Sequence, residues 1–340
     1  MGPEVVCLGA VNVDLLYRVE DLGPFLAAFP GLKPGGELAL TAAAEERLKA
    51  LLERYGQFLD RQGGGQAANT AYALARMGAA AALVGRVGAD PDGAFLLDTL
   101  AGVNLDFLTR AGASGRAYVL LDPSGERTIL VAPNTNDELT RENIPLELLR
   151  RARFLHLTSF VGDGPLKVQQ ELAQRLAVKD VGGGGQDLRS PGFPRKSPEI
   201  SLDPGELYAR RGWQALEPLL DQVETLLVTE PEWLLLGGDM ERYPVWAPPL
   251  VLIKRGPRGA RLLTPLRFLD FPAVPVRGVV DTLGAGDVFA AGYLAGRLHG
   301  LHPPAALRLA CRAAAQSLTG RGRESYPDRE FLKRQLADLT

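Results

Sequence analysis

The chain has 340 residues, with 38 Lys and Arg against 40 Asp and Glu for a formal charge of −2, and 46% of it is hydrophobic. That composition is soluble and globular, and suits one large α/β domain or two smaller ones. The balanced charge removes the main electrostatic warrant for nucleic-acid binding, which needs a basic face, and no apolar run approaches the roughly 18 residues of a spanning helix, so no membrane residence is expected.

Met1-Gly2-Pro3-Glu4 lacks the basic region of a secretion signal, so a cytoplasmic location is expected. The two cysteines, Cys7 and Cys311, allow neither a disulfide framework nor a thiolate metal cluster. Residues 5–11 form a continuous apolar run, read as a strand buried on both faces of a parallel sheet. Polar Asn12 and Asp14 follow at its C-terminal end. Thr41 is placed to cap a helix reaching about residue 60, because Leu48, Leu51, Leu52, Tyr55, Phe58 and Leu59 recur at helical spacing, with Glu45 and Glu46 in its first turn.

A glycine-rich turn, a helix over 67–77, a strand over 81–87 and a helix after Gly93 follow, the alternation of a doubly wound parallel sheet. Segments 118–121 and 128–131, separated by Pro123-Ser124-Gly125, predict a hairpin that with 14–20 and 36–41 can form a small antiparallel lid. Strands are expected again at 154–157, 200–203, 225–228 and 250–253, with helical segments between them. The glycine- and proline-rich stretch 182–197 reads as a loop entering the strand near residue 200, at the end away from the chemistry.

Gly63-x-Gly65-x-x-Ala68 formally matches a dinucleotide-binding fingerprint, but the predicted long helix stands where a strand should precede it. No phosphate-binding P-loop, His-Glu-x-x-His or Gly-x-Ser-x-Gly motif occurs. Asp281-Thr282-Leu283-Gly284-Ala285-Gly286-Asp287 opens a helix, where unpaired N–H groups and the positive dipole end can hold an anion. A carboxylate at such a place either caps the helix or takes the proton of a hydroxyl attacking phosphorus. General base plus anion cradle is the logic of phosphoryl transfer.

Together with Gly64-Gly65-Gln66-Ala67-Ala68-Asn69-x-Ala71, this segment resembles the two signatures of the ribokinase, or phosphofructokinase-B, family of carbohydrate kinases. The resemblance spans nearly the whole chain. It takes in Asn12-x-Asp14, Gly85-Arg86-Val87-Gly88-x-Asp90-x-x-Gly93, Lys254-x-Gly256-x-x-Gly259, and Gly320-Arg321-Gly322 to Tyr326-Pro327. It implies one ribokinase-like domain over 1–340, a three-layer α/β/α sandwich with a mostly parallel central sheet and a lid at about 14–41 and 112–132. The implied enzyme transfers the terminal phosphoryl group of ATP, with ADP open as donor, to a hydroxyl of a small carbohydrate.

Residue by residue, the resemblance implies Asp287 as catalytic base, with Gly284, Ala285 and Gly286 as anion hole. Asn12, Asp14, Gly64, Gly65 and Asn69 would meet the sugar. Asp281 and Thr282 would lie by the nucleotide phosphates and a monovalent-cation site for potassium, and Lys254, Gly256, Gly259 and Thr229 would face the nucleotide. Where the family usually has Asn-x-x-Glu, associated with magnesium, this chain has Thr229-Glu230-Pro231-Glu232, so Glu232 remains and Thr229 replaces the amide. From the residues alone, Lys254 reads equally as a solvated strand-end lysine, and Asp203 as a turn former. A ribonucleoside kinase and a catalytically silent sugar-binding regulator are the alternatives, and exposed lid edges would pair two copies into a homodimer.

Overall fold

A computed structural model describes residues 2–176 and 198–339, so the loop expected at 182–197 lies outside the described residues. In chain order the strands are β1 (Val5–Leu8), β2 (Asn12–Val19), β3 (Glu37–Ala39), β4 (Gly56–Gly64), β5 (Ala81–Val87), β6 (Leu108–Arg110) and β7 (Gly115–Leu121). They continue as β8 (Arg127–Ala132), β9 (Phe154–Thr158), β10 (Glu199–Asp203), β11 (Thr225–Thr229), β12 (Leu250–Lys254), β13 (Ala260–Leu263) and β14 (Phe268–Phe271).

The main sheet runs β14-β13-β12-β11-β10-β9-β1-β5-β6. It is parallel from β12 to β6, with β13 and β14 added antiparallel at one edge. Every residue of β1, β9 and β10 is buried, as an unbroken apolar strand requires when helices cover both faces. One face packs on the helices Gln66–Arg76, Ala285–Leu298 and Pro303–Ser317, the other on Asp163–Leu176 and Gly212–Leu220. Among the described residues no helix is long and apolar enough to cross a membrane.

A second sheet, β3-β8-β7-β2-β4, forms the lid over the C-terminal edge of the first. Its pairing corrects the expectation of an antiparallel lid. β7 and β8 do form the predicted hairpin, but β2 runs parallel to β7 and β3 parallel to β8. Parallel neighbours need long crossovers, and the whole segment from β4 to β6 supplies one between β2 and β7.

The helix expected to reach residue 60 ends at Tyr55, and residues 56–60 belong to β4, antiparallel to β2. Phe58 and Leu59 are exposed on that strand rather than buried on a helix face. Thr41 caps the helix through Ala44 N–H at 3.3 Å, and Glu45 is buried, accepting a 2.7 Å bond from the Tyr118 hydroxyl. A strand therefore does precede the Gly63-x-Gly65 turn. It belongs to the lid, however, and not to a parallel nucleotide-binding unit.

Candidate active site

The parallel strands end toward the cleft, so residues at their C-terminal ends converge there: Thr158 of β9 and Ser159 after it, Asp203 of β10, Thr229 of β11 and Lys254 of β12. Facing them, the chain passes from β1 into lid strand β2 and delivers Asn12 and Asp14. A cavity of about 270 Å³ is bounded by Asn12, Asp14, Gly65, Asn69, Gly284 and Asp287, with Glu37 and Asn136 from the lid side and Glu232 beyond. The predicted sugar-side residues are thus brought together, except that Gly64 lies beneath Asp14. A Cβ at Gly64 would fall 2.1 Å from the Asp14 carboxyl, so glycine is what lets β4 pass behind that acid.

Asn12 is held by Asn136, whose Nδ2 donates to Asn12 Oδ1 at 2.8 Å while its own amide exchanges bonds with Val11 N–H and C=O. Asp14 is buried, and burial pushes its carboxyl up to about 7 against the lowering effect of Arg323. Glu37, which nothing in the sequence singled out, is likewise pushed up to about 7 by desolvation in the cleft, with Glu206, Glu232 and Asp14 adding to the rise.

Asp287 is the third residue of the helix Ala285–Leu298, which starts at Gly284 with φ 74°. A Cβ at Gly284 would meet the Tyr326 hydroxyl at 2.2 Å, so both the left-handed backbone and the space demand glycine. The buried Asp287 carboxylate accepts a 2.7 Å bond from Asn69 Nδ2. Burial raises it to about 7, the Asn69 bond opposing; Asp203 and Asp14 raise it further and Lys254 lowers it. Both Nε and Nη2 of Arg323 donate to Asn69 Oδ1, at 3.0 and 2.9 Å, and its Nη1 reaches the Thr99 carbonyl and hydroxyl. The guanidinium fixes which way the Asn69 amide faces, and so points an N–H at the base. Arg323 was missed in the sequence because its partner lies 254 residues away, and no local pattern announces it.

A second cavity, about 1000 Å³, opens on the other side of the helix start. It is bounded by the predicted Thr229, Lys254, Gly256, Gly259, Thr282, Ala285 and Gly286, and walled by Pro257, Val274, Pro275, Val279, Phe289 and Leu318. Lys254 is no solvated lysine: its Nζ donates to Asp203 Oδ2 at 2.6 Å, and it lies 3.4 Å from where a Gly286 Cβ would stand. The two cavities meet at one turn, with Gly284 and Asp287 on the small side and Ala285 and Gly286 on the large side.

Glu232 borders both cavities. It forms a reciprocal cap with Thr229: its Oε2 accepts Thr229 N–H at 2.6 Å, and Thr229 Oγ1 accepts Glu232 N–H at 3.3 Å. Thr229 therefore performs a helix-capping task that the family's Asn can also perform. One carboxylate at a junction of cavities suits magnesium, which keeps most of its waters and shares phosphates with few protein ligands.

The potassium expectation does not fit. Asp281 Oδ1 accepts from Leu283 N–H at 2.8 Å and from Arg127 Nη2, and Oδ2 accepts from Gly322 N–H at 3.0 Å. The carboxylate that would ligate the ion thus accepts three N–H bonds and is neutralised by a guanidinium. Of the remaining sequence signals, Asp90 accepts from Gly93 N–H, Ser114 N–H and the Ser114 hydroxyl, tying a helix start to the entry of β7.

Comparison with known proteins decides the family, because the pfkB family carbohydrate kinase model matches residues 3–182 and 207–329. The chain belongs to the pfkB family. An uncharacterized sugar kinase of Archaeoglobus fulgidus is 32% identical over 271 residues, covering 77% of this chain and 99% of that protein. A Klebsiella pneumoniae fructokinase is 30% identical over 297 residues, covering 80% and 91%. Among solved structures, a probable sugar kinase of Rhizobium etli superposes with a TM-score of 0.83 at 22% identity, over all of both chains. This pfkB member is a phosphotransferase of the carbohydrate-kinase class with the ribokinase-like α/β fold.

Proposed function

We propose that this kinase transfers the terminal phosphoryl group of ATP to a hydroxyl of a small carbohydrate held in the 270 Å³ cavity, with Asp287 as general base. The observation that carries this reading is the position of Asp287: a buried carboxylate at the turn where the small polar cavity meets the large one, its orientation set by Asn69. The acceptor oxygen gives its proton to Asp287 and forms the new P–O bond as the bond from phosphorus to the nucleoside diphosphate breaks. Charge on the transferred group falls against the helix start at Gly284, Ala285 and Gly286, where the Ala285 N–H makes only a 3.3 Å bond back to the Thr282 carbonyl and first-turn N–H groups lack the usual intrahelical partner.

Lys254, beside Gly286, adds a positive charge on the donor side. Magnesium bound with the nucleotide would be met by Glu232 and would neutralise the donor phosphates. Asp14, Glu37 and Asn12 supply the acceptors and donors that sugar hydroxyls need, and Ala117, Val119 and Val131 of the lid give the ring an apolar cover. Phe58 and Leu59 on the outer lid strand β4 support pairing of two copies through their lids.

The test is nucleotide turnover against a panel of hexoses, pentoses, sugar phosphates and ribonucleosides, with ATP or ADP as donor. Turnover with sugars is expected, falling about 10²–10⁴-fold in Asp287→Asn while the variant stays folded. Turnover confined to nucleosides would replace the carbohydrate assignment, and saturable sugar binding without turnover would replace the kinase reading altogether.

A further inference from the structure

We propose that the Arg127 guanidinium, carried by lid strand β8, stands in for a monovalent cation at Asp281. The enzyme then works without potassium, and the phosphate-side motif is completed by closing the lid.

Asp281 lies three residues before Gly284, in the segment leading to the anion-hole turn, and is 9% exposed. A buried carboxylate there needs a counter-charge, and the chain provides one from 154 residues away. Arg127 Nη2 donates to Asp281 Oδ1, and Arg127 Nη1 donates to Thr282 Oγ1 at 2.6 Å, so one fork grips two of the three residues that lead into Gly284. The other contacts on Asp281 are the N–H groups of Leu283 and Gly322, at 2.8 and 3.0 Å.

An alkali cation takes only oxygen ligands. Both oxygens of Asp281 already face donating nitrogens, and Oδ1 takes two of them, so an ion replacing the counter-charge on Oδ1 would have to expel Arg127. With Arg127 in place, the site already carries one negative and one positive charge, and an added ion would leave an uncompensated positive charge.

The location of the substitute matters. Potassium would come from solvent, whereas Arg127 begins a strand hydrogen-bonded into the lid between β7 and β3. Lid opening would withdraw the guanidinium and leave Asp281 unpaired beside the anion hole. Lid closure would restore the pair, tying formation of the phosphate-side motif to capture of the acceptor.

The kinetic arm of the test rests on the phosphotransferase reading, and a thermal arm does not. Wild type, Arg127→Gln and Arg127→Lys are compared in potassium chloride and in choline chloride at matched ionic strength, by steady-state turnover and by the midpoint of thermal unfolding. Wild type is expected to give the same turnover and midpoint in both salts. Arg127→Gln is expected to lose turnover roughly ten- to a hundredfold in choline, the effect of one charge-assisted hydrogen bond, and its midpoint should rise with potassium. Arg127→Lys should remain close to wild type and indifferent to potassium.

Potassium-specific activation or stabilisation of wild type would overturn the proposal. So would an Arg127→Gln protein that matches wild type in choline, or an Arg127→Lys protein as impaired as Arg127→Gln. If no acceptor is turned over at all, the kinase reading fails, and the midpoints in the two salts still decide the role of Arg127.

Discussion

On the proposed acceptor side of the cleft, Asp14, Asn69 and Asp287 are held in a buried polar network that draws on β2, two helices and the Arg323 loop. On the proposed nucleotide side, a cavity nearly four times larger, about 1000 Å³ against 270 Å³, combines apolar walls of Pro, Val, Phe and Leu with a glycine-rich backbone and charged side chains such as Lys254 and Arg258. On the proposed assignment of the two cavities, the contrast puts discrimination on the acceptor side. A site that must tell one hydroxylated ring from another needs fixed donors and acceptors, because unpaired buried polar groups penalise the wrong ligand. A site for a common cosubstrate can rely on shape, glycine-rich backbone and a few charges.

The sharpest way to break that comparison is to fill the turn that separates the two sides. Gly284→Ala puts a methyl group 2.2 Å from the Tyr326 hydroxyl at a backbone φ of 74°, so turnover is expected to fall by at least about 10²-fold. Binding of nucleotide alone, followed by calorimetry, should change much less, because the clash lies on the acceptor face. Equal losses in both would show that the two sides do not act separately.

Arg323→Gln tests the acceptor-side network through its pH profile. Freed from Arg323, the Asn69 amide can turn its oxygen toward Asp287, removing a bond that lowers the pKa of the base. The acid limb of kcat/KM, expected near 7 in wild type, should then move to higher pH. Activity at pH 6 should fall roughly tenfold, with most of the loss recovered at pH 9. The other charges facing Asp287 are Asp14, Asp203 and Lys254, with the Tyr326 phenol close by, and the variant leaves them in place. A uniform loss at every pH would mean that Arg323 only supports packing.

Stability gives a third reading of the same residue. Asp287 is raised to about 7 in the folded state, above the ordinary carboxylate value of about 4, so the folded protein holds its proton more tightly. Its contribution is fully present below pH 4 and lost as pH rises through 7. Asp287→Asn should therefore raise the unfolding midpoint by a few degrees at pH 8 and leave it nearly unchanged at pH 4. The smallest effect is expected on the nucleotide side: Thr229→Ala removes one helix cap, costing about 1 kcal/mol in denaturant unfolding, and Thr229→Asn should be nearly neutral.

The sequence made the parallel sheet legible, because strands buried on both faces read as unbroken apolar runs, and 81–87, 154–157, 200–203, 225–228 and 250–253 all lie within strands. The glycine-rich helix start at Gly284–Asp287 was equally legible, since its glycines and Asp287 sit together in the sequence. β4 was not: Leu48, Leu51, Leu52 and Tyr55 set a helical period that Phe58 and Leu59 continue by chance, and only pairing with β2 turns residues 56–64 into a strand. Arg127 and Arg323 escaped notice for a different reason. Each earns its role from a partner more than 150 residues away, and periodicity carries no information at that range.

Only Gly9, Ala10 and Val11 separate β1 of the main sheet from β2 of the lid, and a Cβ at Gly9 would lie 1.9 Å from the Thr158 hydroxyl. Any swing of the lid about so short and crowded a pivot carries Asn12 and Asp14 with it. The open form would then have no assembled acceptor site to saturate. Measured acceptor affinity would equal the intrinsic affinity scaled by the fraction of molecules closed, so a substitution at the pivot could mimic a change of substrate preference while touching no substrate.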